Sequence, residues 1–492
     1  MKQLQLAAGP VLAVLIVLLF DLEPGNPTIT PMAGIAVWMA IWWMTEAIPL
    51  AATALLPVVL YPLLGVMDGR AVAPIYFNHI ILLFLGGFLV ALAMERWNLH
   101  RRIALRILLV FGSRPSDLLM GFMVATAFLS MWISNTATTM MMVPIAGSVL
   151  ATVETKSGKL STGLLLGIAY SASIGGVATL VGTPPNLSFS RILQIQFPNA
   201  PEISFGSWMV FGAPVAVTFL VIAWVLLTRL YVESNVSAID SGHLRQEYDG
   251  LGRMGREERC VLVVFVSLAL LWVFRKGLRI GGLGIPGWSE WLPYPGYVND
   301  GVVAIGMALI LFVIPSRRSD SGRVLDWEIA RKLPWHIVLL FGGGFALAQG
   351  FVDSGLSAWI GGQLVGLRSV HPILLVVLIC LLITFLTELT SNTATAEMFL
   401  PILGSLALAI QINPLFLMIP ATLSCSFAFM LPVATPPNAI IFGTNRVRIS
   451  DMARTGIWLN VIGVLIAAFG VVLLGPTAFG IDLSVSPGWM GP

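Results

Sequence analysis

The stretch Ser134-Asn135-Thr136-Ala137-Thr138 is written twice in this chain, returning as Ser391-Asn392-Thr393-Ala394-Thr395 at an offset of 257. At the same offset His79-Ile80-Ile81-Leu82-Leu83-Phe84 matches His336-Ile337-Val338-Leu339-Leu340-Phe341, and Gly86-Gly87-Phe88 matches Gly343-Gly344-Phe345. Downstream, Thr183-Pro184-Pro185-Asn186 recurs as Thr435-Pro436-Pro437-Asn438, offset by 252. Ordered matches at nearly one offset mean an internal duplication, which must be recognised before any fold is assigned. Each copy interrupts its apolar runs twice, once with small polar residues and once with paired prolines.

What such interruptions mean depends on the solvent. Apolar residues make up 57% of the chain and charged residues 10%, with a mean hydropathy of +0.91. A soluble protein carries about a quarter charged residues, so this chain cannot cover a water-facing surface and reads as an all-α polytopic membrane protein. Its net charge of +3 does not point to nucleic acid, because the basic residues gather in short loops. Cys260, Cys380 and Cys425 lie far apart in apolar runs, with neither disulfide nor metal spacing. The apolar run 6–20 is followed by Asp21 and Glu23 without a small-residue cleavage site, and reads as a first span.

Loop charge then sets orientation. With Lys2 in the cytoplasm, basic residues collect on one side after the fourth span, 77–95 (Arg96, Arg101, Arg102, Arg106, Arg114). They collect there again at Lys156 and Lys159, in a long charged loop 229–259, at Arg317, Arg318, Arg323, Arg331 and Lys332, and at Arg446 and Arg448. Arg275, Lys276 and Arg279 fall on the wrong side, the one violation of the rule. Segments 117–153 and 372–411 start and finish on one side, so each is two spans or a re-entrant hairpin. The total is about eleven crossings plus these two segments. An odd number of crossings separates the two Gly-Gly-Phe spans, which makes the duplication an inverted-topology repeat with the N-terminus cytoplasmic and the C-terminus external. The expected organisation is N-terminal scaffold helices (1–76), a first repeat (77–231), a cytoplasmic loop (232–259), further scaffold (260–333), a second repeat (334–475) and an external tail (476–492). Within the repeats the broken helices are 161–192 and 413–444, and the last spans 208–228 and 456–475.

Irregular backbone cannot face lipid, since each unpaired N–H or C=O costs several kcal/mol there. The paired prolines remove two N–H donors and push the preceding residue out of helix geometry. The carbonyls freed around Gly182 and Ala434 suit a hard cation, and the Ser-Asn-Thr turns sit beside helix N-termini that attract anions. A lone Ser-Asn-Thr would do no more than join helices. Two in register, each followed by its own Thr-Pro-Pro-Asn, mark a transporter's midplane binding site.

These residues resemble the divalent anion/sodium symporter family, carriers of di- and tricarboxylates. The resemblance covers essentially the whole chain, through both Ser-Asn-Thr turns, both Pro-Pro-Asn breaks and Trp43-Met44-Thr45-Glu46-Ala47-Ile48-Pro49-Leu50. It implies that the Ser-Asn-Thr turns are the tips of two re-entrant hairpins, one from each side, in a homodimer whose transport domain moves like an elevator against a scaffold. It implies a first sodium site at Ser130, Ser134, Asn135 and the carbonyl region of Gly182, and a second at Thr387, Thr390, Asn392 and the carbonyl region of Ala434. Substrate carboxylates would meet Ser134, Asn135, Thr136, Thr183, Ser391, Asn392, Thr393 and Pro436. Sodium is then the coupling ion, no organic cofactor is needed, and the substrate is a small dicarboxylate such as succinate, malate or fumarate. With no Lys or Arg in the site, a dianion must be balanced by bound sodium and helix dipoles, so sodium and substrate should tighten each other.

Other ionisable residues read more plainly. Glu46, Glu388 and Glu397 fall inside spans; Glu388, next to Thr387 but on another helix face, reads as a hydrogen-bonded support. His79 and His336 read as polar anchors, and Trp42, Trp43, Trp288 and Trp291 as aromatic belts. The competing functions are a sodium-independent dicarboxylate exchanger and a sodium-coupled sulfate or tricarboxylate carrier. A membrane enzyme is disfavoured, since no span carries His-Glu-x-x-His, paired aspartates or a nucleophile elbow.

Overall fold

The computed structural model describes residues 2–151, 158–233, 242–280, 283–482 and 486–490. Lys156 and the end of the 117–153 segment lie outside the described residues. The chain opens with α1 (Lys2–Leu19) packed against α2 (Ile29–Thr45), then three short helices, α3 (Leu50–Thr53), α4 (Leu56–Leu63) and α5 (Gly69–Val72). Next come α6 (His79–Arg96), α7 (Leu99–Leu108), α8 (Pro115–Ser130), α9 (Asn135–Ala151), α10 (Lys159–Gly176), α11 (Pro184–Gln196) and α12 (Phe205–Tyr231). A middle section holds α13 (Gly242–Gly250), α14 (Arg256–Val273), the antiparallel strands β1 (Leu278–Ile280) and β2 (Leu283–Ile285), α15 (Asp300–Val313) and α16 (Trp327–Ala330). The last section is α17 (Trp335–Asp353), α18 (Leu356–Leu364), α19 (Pro372–Thr387), α20 (Asn392–Ile410), α21 (Pro414–Cys425), α22 (Pro436–Phe442) and α23 (Ile449–Phe479).

The run α17–α23 repeats the run α6–α12 element for element, with the duplicated motifs at the same joints. Both Ser-Asn-Thr turns open a helix after a four-residue gap, and both Thr-Pro-Pro-Asn motifs start a helix after a longer one. Packing between the runs is reciprocal: α9 lies on α22 and α20 on α11, while α12 packs on α23. The stretches 69–96, Phe205–Tyr231, Trp335–Asp353, Asn392–Ile410 and Ile449–Phe479 are long and apolar enough to cross a membrane by length and composition. Shorter apolar helices include Pro115–Ser130, Pro372–Thr387 and Pro414–Cys425, each cut off where a polar break intervenes.

The Gly-Gly-Phe marks do the same job in both runs. A Cβ on Gly86 would lie 2.5 Å from the Ala304 backbone, and one on Gly343 would lie 2.5 Å from the Ala54 Cβ. Bare glycine faces therefore let α6 seat closely against α15, and α17 against the turn that follows α3, as small residues do between membrane helices.

Several sequence expectations need correction. Among its described residues the charged loop 229–259 is largely helical: α12 runs to Tyr231, α14 starts at Arg256, and α13 lies between them. Its acids hold α7, through Arg101–Glu247 at 3.0 Å and a two-pronged pair from Arg102 to Glu258 at 2.5 and 3.1 Å. The basic residues after span 77–95 thus sit largely on an amphipathic helix that hydropathy did not reveal. Glu46 is not inside a span; it is exposed and caps α2 in a left-handed conformation (φ 46°). Trp43 is fully buried and donates to Leu50 O at 3.1 Å, so it is core and not belt.

Two of the three misplaced cations after α14, Arg275 and Lys276, have partners. Arg275 is buried and pairs with Asp300 and, at 2.5 Å, with Glu202; Lys276 pairs with the other Glu202 oxygen at 2.5 Å. Arg275 and Lys276 are thus held in one ionic cluster with two acids.

Candidate functional site

Helix polarity builds the site. Ser130 is the last residue of α8 and Thr387 the last of α19; Cys425 ends α21, and Ala172 lies four residues before the end of α10. Helix C-termini carry partial negative charge and free carbonyls, which favour cations. Asn135 and Asn392 are the first residues of α9 and α20, whose N-termini favour anions. The chain therefore brings cation-preferring and anion-preferring ends together at each Ser-Asn-Thr turn.

In the first run the Ser130 Oγ, fully buried, lies 2.5 Å from Asn135 Oδ1 and 2.7 Å from Ala172 O. In the second the Thr387 Oγ1 lies 2.8 Å from Asn392 Oδ1 and 2.9 Å from Cys425 O. A hydroxyl has one proton and can donate to only one of its two acceptors. Each cluster is therefore one donor short, with uncharged oxygens converging as a hard cation requires. Gly182 joins the first cluster: a Cβ built on Gly176 would sit 2.9 Å from Asn135 Oδ1 and 3.1 Å from Gly182 O. The bare face of Gly176 is a cradle for these two oxygens. Among the described residues no group of three His, Cys, Asp or Glu could hold a metal ion. Hydroxyl, amide and carbonyl oxygens of this kind suit a hard cation.

The other sequence candidates are placed unevenly. Ser134 Oγ accepts from Ala137 N at 3.2 Å, and Ser134, Asn135, Thr136, Ser391 and Asn392 are half-buried. Thr183 and Thr393 are buried, whereas Pro436 is exposed. The Thr390 hydroxyl meets Leu386 O at 3.0 Å and the Thr395 hydroxyl at 2.7 Å. Ala434 is buried beside Thr435, and its N–H bonds Leu431 O at 3.2 Å. Thr183 and Thr435 are both extended (φ −146° and −142°), as a residue before proline must be.

The Asn that closes each Thr-Pro-Pro-Asn was given no role from sequence. Asn186 and Asn438, the last letters of the repeated Thr-Pro-Pro-Asn, clamp the unwound backbone before them. Asn186 Nδ2 donates to Thr179 O at 2.7 Å and Gly176 O at 3.4 Å; Asn438 Nδ2 donates to Leu431 O at 3.0 Å and Ala428 O at 3.1 Å. Those carbonyls are themselves at matching positions. Their repetition within the motif was the available signal. Glu388 holds the second break more firmly, accepting from the N–H groups of Phe429, Met430 and Leu431 at 2.7, 2.9 and 3.0 Å and from Asn460 at 2.8 Å. It is a support, as its position one residue past Thr387 suggested. In the first run Thr179 takes that place, its hydroxyl meeting Met131 O at 2.5 Å and Gly182 N at 3.1 Å.

A helical membrane bundle with paired polar breaks, each gathering uncharged oxygens at helix ends, has the form of a membrane transport protein. The chain belongs to the family described as the sodium:sulfate symporter transmembrane region, whose model matches residues 3–478. It is therefore an integral membrane transporter and not an enzyme. A sodium-dependent dicarboxylate transporter, SdcS, of Staphylococcus saprophyticus is 42% identical over 493 residues, covering 97% of this chain and 92% of the relative. The SdcS of Staphylococcus aureus is 43% identical over 496 residues, with the same coverage. Among solved structures, the YdaH transporter of Alcanivorax borkumensis, described as having an unusual topology, superimposes with a TM-score of 0.56 at 14% identity. That match covers 88% of this chain and 89% of the other, and shows likeness of fold.

Proposed function

We propose that the protein imports C4-dicarboxylates such as succinate, malate and fumarate by sodium symport across the plasma membrane. The observation that carries this reading is the pair of donor-deficient oxygen clusters around Ser130 and Thr387. The first sodium would bind at Ser130, Ser134, Asn135 and Gly182, and the second at Thr387, Thr390, Asn392 and Ala434. The substrate's carboxylates would lie at the N-termini of α9 and α20, against Ser134, Asn135, Thr136, Ser391, Asn392 and Thr393, with Thr183 and Pro436 alongside. None of these residues is charged. A dianion would therefore depend on bound sodium for its counter-charge, which makes the coupling obligatory. The relatives named sodium-dependent dicarboxylate transporters support the choice of ion and substrate.

The helix pairs α8–α9 and α19–α20 would be re-entrant hairpins entering from opposite sides of an inverted repeat. Reciprocal packing of α9 on α22 and α20 on α11 supports a two-fold relation. The repeats would move as an elevator against the remaining helices in a homodimer, with the N-terminus cytoplasmic and the C-terminus external.

Uptake of labelled succinate into liposomes tests the reading. An inward sodium gradient should drive uptake into substrate-free vesicles, and choline or potassium should not replace it. Uptake only into vesicles preloaded with dicarboxylate, indifferent to sodium, would make the protein an exchanger. Sodium-driven flux of sulfate or citrate in place of succinate would move the substrate class, as the family's name allows.

A further inference from the structure

One buried carboxyl lies outside the two oxygen clusters and has no counter-charge. Glu397 sits in α20, just over a turn beyond Asn392, and is 0% exposed. Its Oε1 is 2.5 Å from Ser188 Oγ of α11, while Oε2 has no hydrogen-bond partner among the described residues. The carboxyl is pressed against Gly344 of α17, where any Cβ would collide with it. Ionisable side chains on the elements packed around α20 are Arg191 on α11, Cys380 on α19 and Cys425 on α21. To these are added His336 and Asp353 on α17 and Arg368 in the turn Val365–Ser369; α2 and α18 carry none. None of these makes an ion pair or hydrogen bond to Glu397.

An unpaired carboxylate buried in this way is strongly disfavoured, whereas the neutral acid needs only an acceptor for its proton. Ser188 points to the same state. Its Oγ is also 3.3 Å from Pro184 O, and one hydroxyl proton cannot serve both neighbours. If Glu397 donates to Ser188, the Ser188 proton is free for Pro184 O and both contacts are satisfied.

We propose that Glu397 and Ser188 form a proton-binding site whose occupancy is read at the Thr183-Pro184-Pro185 break. With the proton bound, Glu397 donates to Ser188 and Ser188 donates to the Pro184 carbonyl. When the proton leaves to water, the Ser188 hydroxyl turns to the carboxylate and the Pro184 carbonyl loses its donor. The site ties α20, which opens at the second Ser-Asn-Thr, to α11, which opens at the first proline break. It needs neither sodium nor a particular substrate, so it stands apart from the symport reading.

Infrared spectra of the reconstituted full-length protein, titrated over pH in H2O and D2O, test the site directly. The wild type is expected to show a protonated-carboxyl C=O band that is lost as pH rises, shifts down in D2O and is missing from Glu397→Gln. Ser188→Ala keeps the carboxyl but removes its acceptor, and should move that band to higher frequency. Spectra of Glu397→Gln that superimpose on wild type at every pH overturn the proposal. So does a band that Ser188→Ala leaves in place, which decides the matter alone if Glu397→Gln does not fold.

Discussion

The Thr183 hydroxyl, at the start of α11, lies 3.4 Å from the Ser426 hydroxyl at the end of α21, and both residues are buried. A break of the first repeat therefore touches a break of the second. The contact joins the residue after Gly182 to the residue after Cys425. Thr183→Val and Ser426→Ala should show a coupling energy of about 0.5–1.5 kcal/mol in a double-mutant cycle, measured by thermal unfolding of the purified protein. Additive effects would mean that the hydroxyls do not interact.

Asn186 and Asn438 perform one task in two places, so their loss should look alike. Each replacement by alanine leaves buried carbonyls of an unwound segment without donors, at a cost of about 1–3 kcal/mol. Each should also raise the sodium concentration needed for half-maximal uptake. A matched pair of effects is expected from the reciprocal geometry; an effect confined to one repeat would show that only one break needs its clamp.

Gly182 and Ala434 occupy equivalent positions, yet only the first has no room for a side chain. A Cβ on Gly182 would strike the Gly176 carbonyl, whereas Ala434 already carries one. Gly182→Ala should therefore abolish or severely weaken transport while Ala434→Gly leaves most of it, read as initial uptake rates at equal protein. Comparable rates for the two variants would contradict the close approach of Gly176 and Gly182.

The ionic cluster at Arg275 should respond to both mutation and acid. Arg275→Met strands buried Asp300, and breaking such a pair costs about 3–5 kcal/mol. Partial burial by itself pushes the Glu202 carboxyl up, but the Arg275 guanidinium and Lys276 ammonium outweigh it and hold it below the ordinary carboxylate value. A lowered folded-state value means stability that is present above the unfolded value and lost as pH falls through the folded one. The melting temperature of the wild type should thus fall in that acid window, and Glu202→Gln should flatten the fall. A wild-type profile unchanged by Glu202→Gln would remove Glu202 from the account.

The architecture was legible wherever a residue's local neighbours decide its fate. Proline pairs break helices by removing donors, and glycine pairs allow close packing, so the motifs located the joints of both repeats. What sequence could not supply was set by partners far along the chain. The α7 helix was hidden because Arg101 and Arg102 look like loop charges until Glu247 and Glu258 are found opposite them. Arg275 and Lys276 likewise find their partners, Glu202 and Asp300, far along the chain. Glu397 looked like any acid in a span until Ser188 and Gly344 showed how it is enclosed.

The central claim is that the two hydroxyl-centred clusters are sodium sites acting together. The sodium dependence of succinate uptake by Ser130→Ala, Thr387→Ala and the double variant in liposomes tests it most directly. Each single variant should require at least about tenfold more sodium for half-maximal uptake, the loss of about 1.4 kcal/mol of binding. The double variant should show no sodium-driven uptake although it remains folded. Wild-type sodium dependence in either single variant would contradict the account, because the cluster it disrupts would then not be a sodium site.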